Sequence, residues 1–153
     1  MRPTSPEPTS FVIAERGGDW MSWVERFQLA TPDVAVVVQE PGESVGDLAM
    51  RVRARVAALE EDDAAVDQAV LVGGGRTAPE GISARSLVLR ALTSPMVAAG
   101  AGMITLDGQG RDRYAMMALA SAVSPMVMGT GVSIAPAAND VSLPAASRFA
   151  DVA

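Results

Sequence analysis

The chain has 153 residues, 49% of them apolar, a net charge of −6, and neither cysteine nor histidine. A single domain of this length can bury a working core without disulfides or metals. The missing residue types exclude disulfide frameworks, thiolate nucleophiles, Cys-ligated zinc, and Ser-His-Asp or Cys-His catalysis.

The twelve basic residues are all arginine and are scattered along the chain, while aromatics make up only 4%. A nucleic acid would call for a clustered positive face with aromatics for base stacking, so no nucleic-acid partner is expected. No apolar run reaches the roughly 20 residues of a membrane span. The longest, Tyr114 to Met128, is interrupted by Ser121, Ser124 and Pro125. The start of the chain lacks the apolar core of a secretory signal. A cytoplasmic location is therefore the expectation, with no membrane partner.

Residues 1–10 (MRPTSPEPTS) hold three prolines and no core-forming side chain, which predicts a disordered leader. A single domain is expected over 11–138 and a tail over 139–153. Phe11 to Ala14 is compatible with a short strand. In Asp19 to Leu29, Trp20, Trp23, Val24 and Phe27 share one face of a short amphipathic helix. That face either caps the core or docks a partner. Asp33 to Gln39 (DVAVVVQ) reads as a buried parallel strand. After Pro41-Gly42, Ser44 is an N-cap candidate with Asp47 three residues on. Val45, Leu48, Val52, Val56 and Leu59 then mark the clearest amphipathic helix, which ends near Glu60 and gives way to an acidic loop.

Gln68 to Val72 is the next strand and Gly73-Gly74-Gly75 its end. Ile82 to Thr93 predicts a helix that Pro95 ends or kinks. Met103 to Leu106 is a strand and Asp107-Gly108-Gln109-Gly110 its turn. Arg113 to Val123 is a helix, and Val132 to Ala135 a last strand. Ser94-Pro95-Met96-Val97 recurs as Ser124-Pro125-Met126-Val127, as though each copy closed a helix before a glycine turn. Strand–helix alternation of this kind predicts an α/β fold. The expected form is a small, open, mostly parallel sheet of four to five strands with helices on both faces, a Rossmann-like or flavodoxin-like three-layer sandwich.

Ligands of such sheets sit beyond the carboxyl ends of the strands. Four segments are expected there: Gln39 to Ser44, Gly73 to Thr77, Asp107 to Arg113, and the stretch after Ala135. Gly73, Gly74 and Gly75 offer approachable backbone amides, Arg76 a fork of donors and Thr77 a hydroxyl. The series nevertheless lacks the order of a dinucleotide fingerprint and the Lys-Ser/Thr of a P-loop. Asp107, Arg111 and Asp112 form a second candidate, whose alternative reading is a tight turn with Asp112 as helix N-cap. Calcium-loop spacing is absent and no metal site is expected. The near-continuous apolar surface around Tyr114, Met116 and Met117 suggests a helix covered by a second subunit.

The alternation, with Gly129-Thr130-Gly131 just before the last strand, resembles in architecture the universal stress protein group. That resemblance implies a small α/β domain that often dimerises and sometimes binds ATP. The group's glycine series, G-x-x-G followed later by G-[ST], has no counterpart here, since Ala118 to Met128 contains no glycine. Gln39-Glu40 stand where that group usually has an aspartate after its first strand.

With no histidine, cysteine or lysine, the leading expectation is a non-enzymatic interaction or regulatory module. It would self-associate as a homodimer or with a protein partner, and hold no cofactor. One alternative is a nucleotide- or anion-binding domain with a nucleotide or phosphate ligand at Gly73 to Thr77 and Asp107 to Arg113. The other is a subunit of a larger assembly docked through Trp20, Trp23 and Phe27.

Overall fold

The computed structural model describes residues 7–31, 33–75 and 79–137. In chain order the elements are β1 (Glu7–Ala14), α1 (Met21–Gln28), β2 (Asp33–Val38), α2 (Val45–Glu61) and β3 (Ala64–Val72). There follow α3 (Pro79–Ala99), β4 (Gly102–Asp107), α4 (Arg111–Val123), a 3₁₀ turn (Ser124–Val127) and β5 (Val132–Pro136). The five strands form one sheet in the order β2-β1-β3-β4-β5, and every neighbouring pair is parallel. The expected open parallel sheet with helices on both faces is what the structure shows.

The two faces follow from strand alternation. Phe11, Ile13, Ala35, Val37, Ala69, Leu71, Ile104, Leu106, Val132 and Ile134 point to one side, where α2, α3 and α4 cover them. Val12, Ala14, Val70 and Val72 point to the other, where Trp23 and Phe27 of α1 lie on them. Trp23 and Phe27 pack edge to face at 5.6 Å. Among the described residues nothing covers this second face over β4 and β5, where Met103 is half exposed and Ser133 and Ala135 are exposed.

Several boundaries differ from expectation. β1 begins at Glu7, inside the stretch expected to be disordered, and residues 1–6 lie outside the described ones. Far from marginal, β1 is an interior strand, with Phe11, Val12, Ile13 and Ala14 fully buried between β2 and β3. Its four-residue apolar run is short because every residue in it is inward on one face or the other, which hides any alternation. α3 runs through Pro95 to Ala99 rather than stopping near Thr93. Hence the Ser-Pro-Met-Val echo is not a structural repeat. The first copy is helical with Met96 buried, and the second is a 3₁₀ turn with Met126 exposed. Ser44 does cap α2, its side chain accepting the Asp47 amide at 3.0 Å. Residues 138–153 lie outside the described residues.

Among the described residues no helix is long and apolar enough to cross a membrane.

Candidate functional site

The strand order reverses between β1 and β3, since β2 lies to one side of β1 and β3–β5 to the other. The carboxyl ends of these strands carry Glu15-Arg16-Gly17-Gly18 and Gly73-Gly74-Gly75. The ladder runs on past the strand ends here. The Glu15 amide donates to the Val72 carbonyl at 2.9 Å and the Gly73 amide to the Asp107 carbonyl at 2.8 Å.

Below these loops three charges are buried together. Arg85, on α3, donates from Nε to Glu15 Oε2 and from Nη2 to Glu15 Oε1 at 2.6 Å. The same Nη2 reaches Asp112 Oδ1, on α4, at 3.0 Å. Arg85 and Asp112 are almost wholly withdrawn from solvent. Burial alone would lower the Arg85 pKa. Hydrogen bonds and Coulombic attraction from Glu15, then Asp112, outweigh it and hold the guanidinium above its ordinary value. The two carboxylates also face the glycine loop. Glu15 Oε1 accepts the Gly74 amide at 3.2 Å and Asp112 Oδ2 the Gly75 amide at 2.6 Å.

The glycines are required by loop-on-loop contact. A Cβ on Gly74 would press into the Arg16 carbonyl oxygen, and one on Gly18 would lie 2.9 Å from Val72 Cγ1 and 3.0 Å from the Gly73 oxygen. A Cβ on Gly73 would lie 2.7 Å from Asp112 Oδ2. Their role is close backbone approach within the chain.

The other end of the strand edge is open. A cleft of about 300 Å³ at the ends of β4 and β5 is lined by Leu106, Asp107, Gly108, Arg113, Met117, Pro136 and Ala137. Asp107 Oδ2 accepts the Trp23 indole N–H at 2.6 Å, tying α1 to the end of β4. A larger hollow of about 470 Å³ lies between α2 and α3, beside Met50, Arg53, Leu87 and Arg90, away from the strand ends.

The structure therefore sorts the expected site residues. Gly73, Gly74, Gly75 and Asp112 do converge, but on one another and on Glu15 and Arg85. Asp112 is not the helix N-cap, which is Gly110; it sits in the first turn of α4, buried. Asp107 meets this group only through its backbone carbonyl, its side chain lying at the cleft with Trp23, and Arg111 is exposed at the start of α4. Arg76 and Thr77 lie outside the described residues. The segment from Gln39 to Ser44 is tied down locally, with Gln39 Nε2 on the Glu43 carbonyl and Arg51 on the Glu43 carboxylate at 2.7 Å. Of the expected interface residues, Trp23, Phe27 and Met116 are buried in this chain's own core, Trp20 is half-buried, and Tyr114 and Met117 are exposed. Sequence reasoning missed Glu15 and Arg85. Arg85 is legible in retrospect, because it continues the Val88, Leu89, Leu92, Met96 stripe of α3 toward the helix start. An arginine in a core phase implies buried carboxylate partners. Among the described residues no group of three or more Asp or Glu is placed to hold a metal ion.

No family model and no curated protein matches the chain. Solved structures do. One is a 2-keto-3-deoxy-D-gluconate dehydrogenase from Streptococcus agalactiae, with a TM-score of 0.52 and 13% identity, covering 83% of this chain. This chain spans 57% of that enzyme's length. Another is the protein gox2181, with a TM-score of 0.50 and 12% identity over 87% of this chain and 72% of its own. Likeness at this identity establishes the fold, which is the Rossmann-like fold of such dehydrogenases.

These matches correct the expectation of a non-enzymatic interaction module. That reading leaned on absent histidine, cysteine and lysine. Absent side-chain types are weak grounds for that reading in a fold that a dehydrogenase shares. The docked-subunit alternative fails with it, because Trp23 and Phe27 already cover β1 and β3. Of the two segments of the nucleotide- or anion-binding alternative, Gly73 to Thr77 and Asp107 to Arg113, the first has its Gly74 and Gly75 amides taken by Glu15 and Asp112.

Proposed function

We propose that this chain is a Rossmann domain of the type found in oxidoreductases, and that its own residues hold a small hydroxylated organic acid at the carboxyl ends of β4 and β5. The observation that carries this reading is the cleft of about 300 Å³ between Asp107 and Arg113. Its size is at the lower end of ligand pockets, suited to a compact molecule. Arg113 supplies a planar fork for a carboxylate, and Asp107 an acceptor for hydroxyl groups. Met117, Pro136 and Ala137 give apolar walls for a carbon chain. A keto sugar acid has this combination of groups, and the dehydrogenase that shares the fold is named for one. A dinucleotide is implied by the fold class, but it does not fit between β1 and β3, where Glu15 and Asp112 already take the glycine amides. No step is therefore assigned to one.

Trp23 provides the test, because its indole N–H bonds Asp107 at the cleft. Titration with 2-keto-3-deoxy-D-gluconate and with D-gluconate is expected to change tryptophan fluorescence saturably and to raise the melting temperature. No change at millimolar concentrations of either acid, or an equal change with neutral polyols lacking the carboxylate, overturns the proposal.

A further inference from the structure

In an open sheet whose order reverses at β1, a dinucleotide lies across the reversal, its pyrophosphate against the helix that follows β1 and its oxygens on glycine amides. In this chain the start of that helix and the β3 loop that faces the first βα turn already meet carboxylates of the chain itself, and within the turn the Gly18 amide donates to the Glu15 carbonyl. At the start of α1, Asp19 accepts the Ser22 amide at 3.4 Å and the Ser22 hydroxyl at 2.8 Å. At the β3 loop, Glu15 holds the Gly74 amide and Asp112 the Gly75 amide. Arg85, the buried cation beneath the crevice, is fully engaged between Glu15 and Asp112. Space is closed as well as charge, for Gly17 and Gly18 lie directly on Gly73 and Gly74.

We infer that Glu15, Asp19 and Asp112 stand in for the phosphates of a dinucleotide, so that the β1–β3 crevice is an internal clamp that refuses NAD(P). The glycines keep the close approach that such a crevice needs but spend it on the opposing loop. The buried ion cluster takes over the task of joining β1, β3, α3 and α4 at the reversal point. Two consequences follow from the geometry. The crevice is ordered without any ligand. An added pyrophosphate has to displace a carboxylate from an amide and then remain beside it, which like charge opposes.

The test uses the full chain, isotopically labelled, with NAD⁺, NADP⁺, ADP-ribose and inorganic pyrophosphate as separate probes at millimolar concentration. The Ser22, Gly74 and Gly75 amides are expected to keep their chemical shifts with all four probes. Without any probe, the Gly74 and Gly75 amides are expected to exchange with solvent more than about tenfold slower than an unstructured glycine. Asp112→Ala is expected to lose that protection at Gly75. A saturable shift of any of the three amides with any probe overturns the inference, and so does unprotected exchange of Gly74 and Gly75 in the wild type. If Asp112→Ala does not fold, the wild-type exchange rates and titrations decide alone. Asp107 and Arg113 take no part in this test, so its outcome is independent of the acid-binding cleft.

Discussion

The two ends of the strand edge share one backbone plan and differ in what their charges do. Between β1 and β3, Glu15, Arg85 and Asp112 are buried and satisfy one another and two glycine amides. At β4 and β5, Asp107 and Arg113 border a cleft. A parallel sheet supplies the same kind of edge at both places, so the fold does not choose the binding end. The choice lies with loop side chains. Carboxylates turned inward close one end, and a carboxylate with an arginine at the rim leaves the other open.

The comparison breaks most directly at Arg85. Arg85→Met would leave Glu15 and Asp112 buried without their cation, at a cost of about 3–5 kcal/mol. Urea unfolding measures it, and a loss under about 1 kcal/mol would show that the cluster does not hold the closed end together. The pH dependence has a definite sign. The folded Arg85 pKa is raised above its unfolded value, so its contribution is fully present below the unfolded value and is lost only as pH rises through the folded one. Both lie far on the alkaline side of neutral pH. The stability gap between wild type and Arg85→Met is therefore expected to stay level from neutral to moderately alkaline pH, where a decline would show another group at work.

Next in size is Gly74→Ala. Its Cβ would meet backbone, the Arg16 carbonyl, which cannot swing aside as a flexible side chain would. Overpacking of this kind costs about 3 kcal/mol, read by the same unfolding curves. A smaller effect is expected at the join between the two ends. Trp23→Phe keeps a ring on β1 and β3 but removes the indole N–H from Asp107, a bond to a carboxylate worth about 2 kcal/mol. If the melting temperature is unchanged, Asp107 is held by other contacts and the two ends are not coupled through α1.

How far the sequence foretold these two ends differs from element to element. The sheet was legible because β2, β3, β4 and β5 each carry an apolar β-branched or aliphatic run closed by glycine or proline, which few other structures accommodate. The role of β1 was not, since Phe11 to Ala14 is short and its neighbours Thr9 and Ser10 are polar yet buried, with Ser10 bonded to Thr31 and Gln68. Demoting β1 hid the loop after it, and with that loop Glu15. The glycine run at Gly73 was legible as a place of close approach, but what approaches it was not. A glycine reports that backbone comes near something, and only the fold says whether that partner is a ligand or, as here, Arg16 and Asp112. Asp107 was found because a carboxylate ending a strand is visible in one dimension. Its partner Trp23 is 84 residues away, beyond the reach of local pattern.

The smallest stability effect belongs to the open end, and that is what makes it informative. Arg113 is exposed in the first turn of α4, so Arg113→Gln is expected to change unfolding free energy by at most about 1 kcal/mol, the range of an exposed polar or ionic contact. It should nevertheless weaken binding of a keto sugar acid about tenfold, the equivalent of one charge-assisted hydrogen bond of about 1.4 kcal/mol. Glutamine keeps a donor but not the charge or the fork, so a carboxylate ligand would feel the change while a neutral polyol would not. Fluorescence titration of the two proteins side by side reads this directly through Trp23. Equal affinities in wild type and Arg113→Gln would remove the arginine from the cleft's chemistry and leave Asp107 as the charged contact among the described lining residues. A loss confined to carboxylate ligands would place the working end of this Rossmann edge at β4 and β5.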